Sequence, residues 1–252
     1  MDRLSRVTAA FPSSDHLSEA VLRPVRGHHA FEGCVEQLAT AIRLGVYPAG
    51  SSLPPERDLA ERLGVSRATL REAIAALRSA GLVTTRRGRG GGSVVDYRPQ
   101  VPASRDAPDL DADRAAHLRD VLVMRRVVEP GACHVAASRE LSAAERDVLT
   151  AAHEVVAGSA DPAEHRQADS RFHLAIATVT GSPLMVQAVT RVQADLHLML
   201  DAIPVLPVNI EHSGKQHKAI ATAILKGEAT RARRVMENHC DDTAALLRGL
   251  LG

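Results

Sequence analysis

The stretch 59–77 constrains this chain more than any other. It runs Leu59-Ala60-Glu61-Arg62-Leu63-Gly64-Val65-Ser66-Arg67-Ala68-Thr69-Leu70-Arg71-Glu72-Ala73-Ile74-Ala75-Ala76-Leu77. A helix starting near Pro55 should end at Gly64, whose missing Cβ permits a tight turn. Ser66 is placed to cap a second helix from Arg67. Leu59, Ala60 and Leu63 then face inward, and Leu70, Ile74 and Leu77 form the buried stripe of the second helix. Arg67, Ala68, Thr69 and Arg71 are left near its free N-terminal end. This is a helix-turn-helix pattern, and those four side chains are candidates to meet base edges or phosphates in a major groove.

Gly81 should stop the second helix. Residues 82–85 and 93–97 alternate as two short strands around Arg86, Arg87, Gly88, Arg89 and the Gly90-Gly91-Gly92 run, which makes a basic wing. The glycines are not a nucleotide loop, because no strand-to-helix passage and no Lys-Ser/Thr follow them. Arg57, at the start of the preceding helix, is a further candidate contact.

Charge supports the same surface once it is divided. Over 252 residues, 31 basic and 30 acidic side chains leave a net charge of +1, which gives no hint of a nucleic-acid partner. Residues 1–98, however, hold 14 basic and 10 acidic side chains, and the remainder 17 and 20. Residues 66–92 alone carry six arginines against one acid, a concentration suited to phosphate contacts and counterion release. Aromatics make up 2% and Trp is absent, which argues against stacking on single strands and leaves an aliphatic core. Cys34, Cys133 and Cys240 lie far apart and offer neither a disulfide framework nor a Cys-x-x-Cys hook. With no long apolar run and no N-terminal signal, a cytoplasmic chain away from membranes is expected.

Residues 31–96 resemble the GntR family of bacterial winged helix-turn-helix repressors. The resemblance is carried by Ala41-Ile42-Arg43-Leu44-Gly45, Tyr47-Pro48-Ala49-Gly50, Leu53-Pro54-Pro55-Glu56-Arg57, the Ser66–Ala73 run and Gly81-Leu82-Val83. It implies that Arg57, Arg67, Thr69, Arg71 and Gly88 contact DNA, and that the chain reads a short palindromic operator as a homodimer. Ala68 departs from the family pattern, where Thr or a similar residue is common.

The expected organisation is a flexible leader (1–29), a winged domain (30–98), a Pro- and Asp-rich linker (99–113) and an all-helical domain (114–249), making the fold mainly α with one small β-hairpin. Leu118, Leu122, Arg125 and Glu129 share a helical face, and Pro130 should kink or break that helix. Further helices are expected over 142–157, 162–180, 183–203, 209–226 and 228–247. Asp169 and His173 are four apart and share a face, while His217 and His239 fall on the last two helices. Antiparallel packing would converge all four, a set suited to zinc, nickel, iron or manganese. Asp169 pairing with Arg166 or Arg171 at the surface is an alternative, as are His165 and His212 as ligands.

Residues from about 114 to 247 resemble the helical effector domain of the FadR subfamily, including Arg125-Arg126-Val127-Val128-Glu129 and Ala132. Its metal-binding members carry an Asp-x-x-x-His pair and single histidines on the last two helices, here Asp169, His173, His217 and His239. The resemblance implies a divalent metal, zinc foremost, and a small carboxylate effector, for which Arg125 and Arg171 are candidate partners. Effector binding would then release the operator through linkage between the two domains. A metal-dependent hydrolase and a helical interaction protein are the competing readings.

Overall fold

The structure is a computed structural model and describes residues 15–25, 29–86, 92–99, 111–200 and 206–251. The winged domain comprises α2 (Ala30–Arg43), α3 (Glu56–Leu63), α4 (Arg67–Ser79), β1 (Val83–Arg86) and β2 (Gly92–Val95). Gly64 ends α3 in the left-handed region, φ 66°, where a Cβ is disfavoured. Ser66 caps α4 by accepting from the Thr69 amide at 3.0 Å, worth about 1 kcal/mol. The hairpin is antiparallel, pairing Val83 with Val95 and Arg86 with Gly92. Leu38, Ile42, Leu59, Leu63, Leu70, Ile74 and Leu77 are all buried in the core of this domain, each contributing roughly 1.5–3 kcal/mol of burial.

The second domain holds α5 (Ala112–Ala137), α6 (Ala143–Gly158), α7 (Pro162–Thr178), α8 (Pro183–Leu200), α9 (Pro207–Leu225) and α10 (Ala229–Leu251). Its helix starts are written locally: Asp111 caps α5, Ser142 and Glu145 form a capping box on α6, and Asp161 precedes Pro162 at the start of α7. Helix α7 lies in the middle of the bundle, against α5, α6 and α8, and α10 packs on α5 and α9. Phe172, Leu174, Ile176, Leu149, Ile220 and Met236 fill the core.

Helix α5 continues through Pro130 without a break; a lost backbone bond costs about 3 kcal/mol, offset here by burial of Pro130, Ala132, Cys133 and Ala136 along one face. Within the leader, Asp15–Val21 forms α1. Leu17, Val21 and Leu22 are buried, and α1 packs on α2, α7 and α8. The segment that follows donates from the Arg23 amide to Gln37 Oε1 (2.8 Å) and from the Val25 amide to the Leu63 carbonyl (2.7 Å). The Arg23 guanidinium reaches the Pro183 carbonyl. A seven-residue helix is too short to form alone in water; it exists here because two domains offer it a surface. Residues 100–110, most of the expected linker, lie outside the described residues.

Candidate functional site

Helix α7 brings Asp169 and His173 to the bundle centre, α9 brings His217 and α10 His239, so that one ligand atom from each lies within 4.8 Å of all the others. The three rings pack edge to face, stacked and tilted, with centroids 4.8–5.6 Å apart. Asp169 Oδ1 is 3.3 Å from His217 Nε2, and its other oxygen is 3.9 Å from His173 Nε2. Neither His173 Nε2 nor His217 Nδ1 has a hydrogen-bond partner among the described residues. Buried polar atoms in that state are costly, and a cation accepted by ring nitrogens removes the cost. The donor set therefore fits a metal.

The electrostatics favour the ligand form of each group. Burial pushes His217 down to about 3 and, with the neighbouring His217 and Arg125, holds His239 well below the ordinary imidazole range. Both rings stay neutral, the protonation state a metal requires of an imidazole. Burial alone would raise the Asp169 carboxyl, but the His217 and His173 rings beside it prevail and hold it low, as an anion.

A second layer orients the first. Glu129 Oε2 lies 3.0 Å from His173 Nδ1 and accepts from Arg125 Nε at 3.0 Å; Glu129 Oε1 accepts from Gln193 Nε2 at 2.5 Å. Against the upward push of burial, Arg125 and His173 hold this carboxyl far below its usual range. His239 Nδ1 contacts Gln216 Oε1 at 3.0 Å, and its Nε2 faces Arg125 NH2 at 3.1 Å. A carboxylate behind a metal-facing histidine sets its tautomer and ring orientation.

Beside the cluster lies a cavity of about 150 Å³, lined at its inner end by Arg125, Asp169 and His239. Arg125 is 1% exposed, yet its NH1 finds no partner among the described residues. His165, the alternative ligand, also lines this cavity and is buried. Arg171 does not reach the cavity. Its side chain lies on the side of α7 that meets the winged domain, where a Cβ on Gly45 would come within 3.3 Å of Arg171 Cδ. Gln167, on the same side, donates to the Ile42 and Arg43 carbonyls at 3.1 Å each, so the helix carrying two candidate ligands also holds the end of α2.

In the winged domain, Arg67, Ala68 and Arg71 are exposed on the first turns of α4, with Thr69 half-buried beside them. Arg57 is 72% exposed and, among the described residues, pairs with its neighbour Asp58 at 3.0 Å, a pair weak enough to yield to a phosphate. Arg86, at the end of β1, is exposed as well. The candidates Arg87, Gly88 and Arg89 lie outside the described residues.

Residues 32–92 match the description "Bacterial regulatory proteins, gntR family", and residues 120–242 match the FCD domain. The chain belongs to the GntR family. Its FCD domain places it with the FadR-like members, and it is a transcription regulator rather than an enzyme. Among relatives of this GntR chain, the Uxu operon transcriptional regulator of Escherichia coli (strain K12) is 31% identical over 208 residues, spanning 78% of each chain. The Glc operon transcriptional activator of the same organism is 28% identical over 221 residues, covering 82% of this chain and 85% of that one. LutR of Bacillus subtilis (strain 168) is 26% identical over 219 residues, 82% and 96% respectively. Among solved structures, E. coli McbR/YncC superposes with a TM-score of 0.53 at 16% identity, over 88% of this chain and 99% of that one, a likeness of fold alone.

Sequence reasoning missed Glu129 as part of the site of this GntR protein, along with Gln193. The signal was there for Glu129: an Arg and a Glu four apart on an otherwise apolar helix face implies a buried pair with something further to hold. Gln193 carries no such signal.

Proposed function

We propose that the chain is a metabolite-responsive repressor: a homodimer that binds a palindromic operator through its winged domains and leaves it when a small carboxylate binds at a metal centre formed by Asp169, His173, His217 and His239. The observation that carries this reading is the placement of α7, which bears Asp169 and His173 on one side and bonds the end of α2 through Gln167 on the other. Any shift of α7 on ligand binding is transmitted to the reader by direct contact. Zinc suits three imidazoles and a carboxylate, and when bound supplies a Lewis-acidic seat for an anion. Arg125, with its unpartnered NH1 in the cavity, is the residue that would meet the effector carboxylate.

A homodimer is supported by the outer face of α5, where Val123 and Val127 are 64% and 69% exposed one turn apart and Gly131, on the same face, has open space at its Cα. An apolar stripe of this kind covers well against its own copy. Among the described residues no helix is long and apolar enough to cross a membrane, which accords with work on chromosomal DNA in the cytoplasm.

In vitro selection from random duplexes tests the proposal. The selected site should be two-fold symmetric, and Arg67→Ala or Arg71→Ala should weaken binding at least ten-fold. Small organic acids added to zinc-loaded protein should release the duplex. A site without symmetry, or release that persists after His173, His217 and His239 are all replaced by alanine and zinc is lost, would overturn it.

A further inference from the structure

The cavity beside the candidate metal cluster has two unlike ends. Its inner end is polar, with the charged Arg125 and Asp169 and the neutral ring of His239. Its wall is hydrocarbon: Leu196, Leu200, Leu206, Ile210 and Leu246. Much of the remaining polar lining is already engaged. Gln216 accepts from or faces His239 Nδ1 and donates to Asp242 Oδ2 at 2.7 Å. His212 contacts the same Asp242 oxygen at 2.9 Å. Thr243 donates to the His239 carbonyl at 3.0 Å, and Ser213 Oγ lies 3.3 Å from His217 Nε2.

Three lining atoms are both buried and without a hydrogen-bond partner among the described residues: Arg125 NH1, His165 Nδ1 and Asn209 Nδ2. Buried donors are rarely left in that state unless a ligand answers them. Three such groups answer a carboxylate and one further oxygen. They do not answer a chain of hydroxyls, each of which, set against leucine without a partner, would weaken binding about ten-fold.

Resting on the reading that a small carboxylate binds here, we infer that the effector is a 2-hydroxy or 2-oxo acid with a hydrocarbon side chain, and not a hydroxyl-rich sugar acid. The carboxylate meets the Arg125 end and the hydrocarbon lies along Leu196, Leu200 and Leu246. Each methylene laid there leaves water for an apolar surface, so affinity rises as the side chain lengthens until the cavity is full.

The test is calorimetric titration of the zinc-loaded full chain with 2-hydroxy-4-methylpentanoate, lactate and gluconate. The branched acid should bind at least ten-fold tighter than gluconate, and tighter than lactate. In Leu246→Ser, a half-buried position whose helicity and zinc content are checked in the same samples, the advantage of the branched acid over lactate should fall several-fold. Leu200→Ser, on the facing helix, should act alike. Gluconate binding as tightly as the branched acid would overturn the inference and leave the carboxylate reading standing. So would an unchanged preference in both serine variants. Failure of all three acids to bind a zinc-loaded chain would instead bring down the carboxylate reading, and the inference with it.

Discussion

Replacing Glu129 by alanine should damage stability and metal binding together, by amounts that follow from its contacts. The carboxylate is 2% exposed and receives Arg125 Nε and Gln193 Nε2 while lying 3.0 Å from His173 Nδ1. Removing it strands the Arg125 cation in the core, and breaking a buried pair in this way costs about 3–5 kcal/mol. A domain whose whole stability is about 5–15 kcal/mol loses about a fifth or more. His173 loses the group that orients its ring, for which the usual penalty is a 10–100-fold fall in metal affinity. Glu129→Gln keeps an acceptor for Arg125 but offers no charge, so it should fall between alanine and wild type on both scales. The double variant Arg125→Met/Glu129→Leu should regain most of the stability, since the burden lies in the stranded charge, yet it should not regain the metal affinity. Urea unfolding of metal-free protein measures the first quantity, and zinc competition against a chromophoric chelator the second. If Glu129→Ala unfolds at the wild-type midpoint and holds zinc with wild-type affinity, the reasoning about this second layer is wrong. If stability falls but zinc affinity stays, Glu129 serves the core only.

The metal-free protein should also lose stability in mild acid. His217, held down to about 3, and His239, depressed by burial, are neutral in the folded chain but take up protons near 6.5 once unfolded. Their contribution is complete above about pH 6.5 and declines as pH falls, with a slope of up to about 1.4 kcal/mol per pH unit for each ring. A urea midpoint that is flat between pH 6.5 and 4.5, before carboxylates titrate, would contradict this. At the junction of the domains, Gly45 has φ +69° and an added Cβ would sit 2.8 Å from Gln167 Cβ, whereas Gly50, φ +79°, has open space. Gly50→Ala should cost about 1–2 kcal/mol of backbone strain, and Gly45→Ala more. Equal losses in thermal unfolding would mean that the Gln167 contact carries no weight.

The two domains and the four candidate ligands were legible in the chain because each depends on local periodicity. A glycine with a left-handed turn and a capping serine specify the turn before α4 wherever the segment sits. Likewise a spacing of four puts Asp169 and His173 on one face of α7 in any context. Periodicity says which residues share a face; it does not say what the face meets. The rotation of α7 against its neighbours, which spacing leaves open, is what sets His165 at the cavity and Arg171 beside the winged domain. The union of Glu129 from α5 and Gln193 from α8 behind His173 required the packing of three helices. The leader's helix needed both domains at once, for seven residues gain too little from their own hydrogen bonds to stay helical without Leu17, Val21 and Leu22 in a core that other segments build.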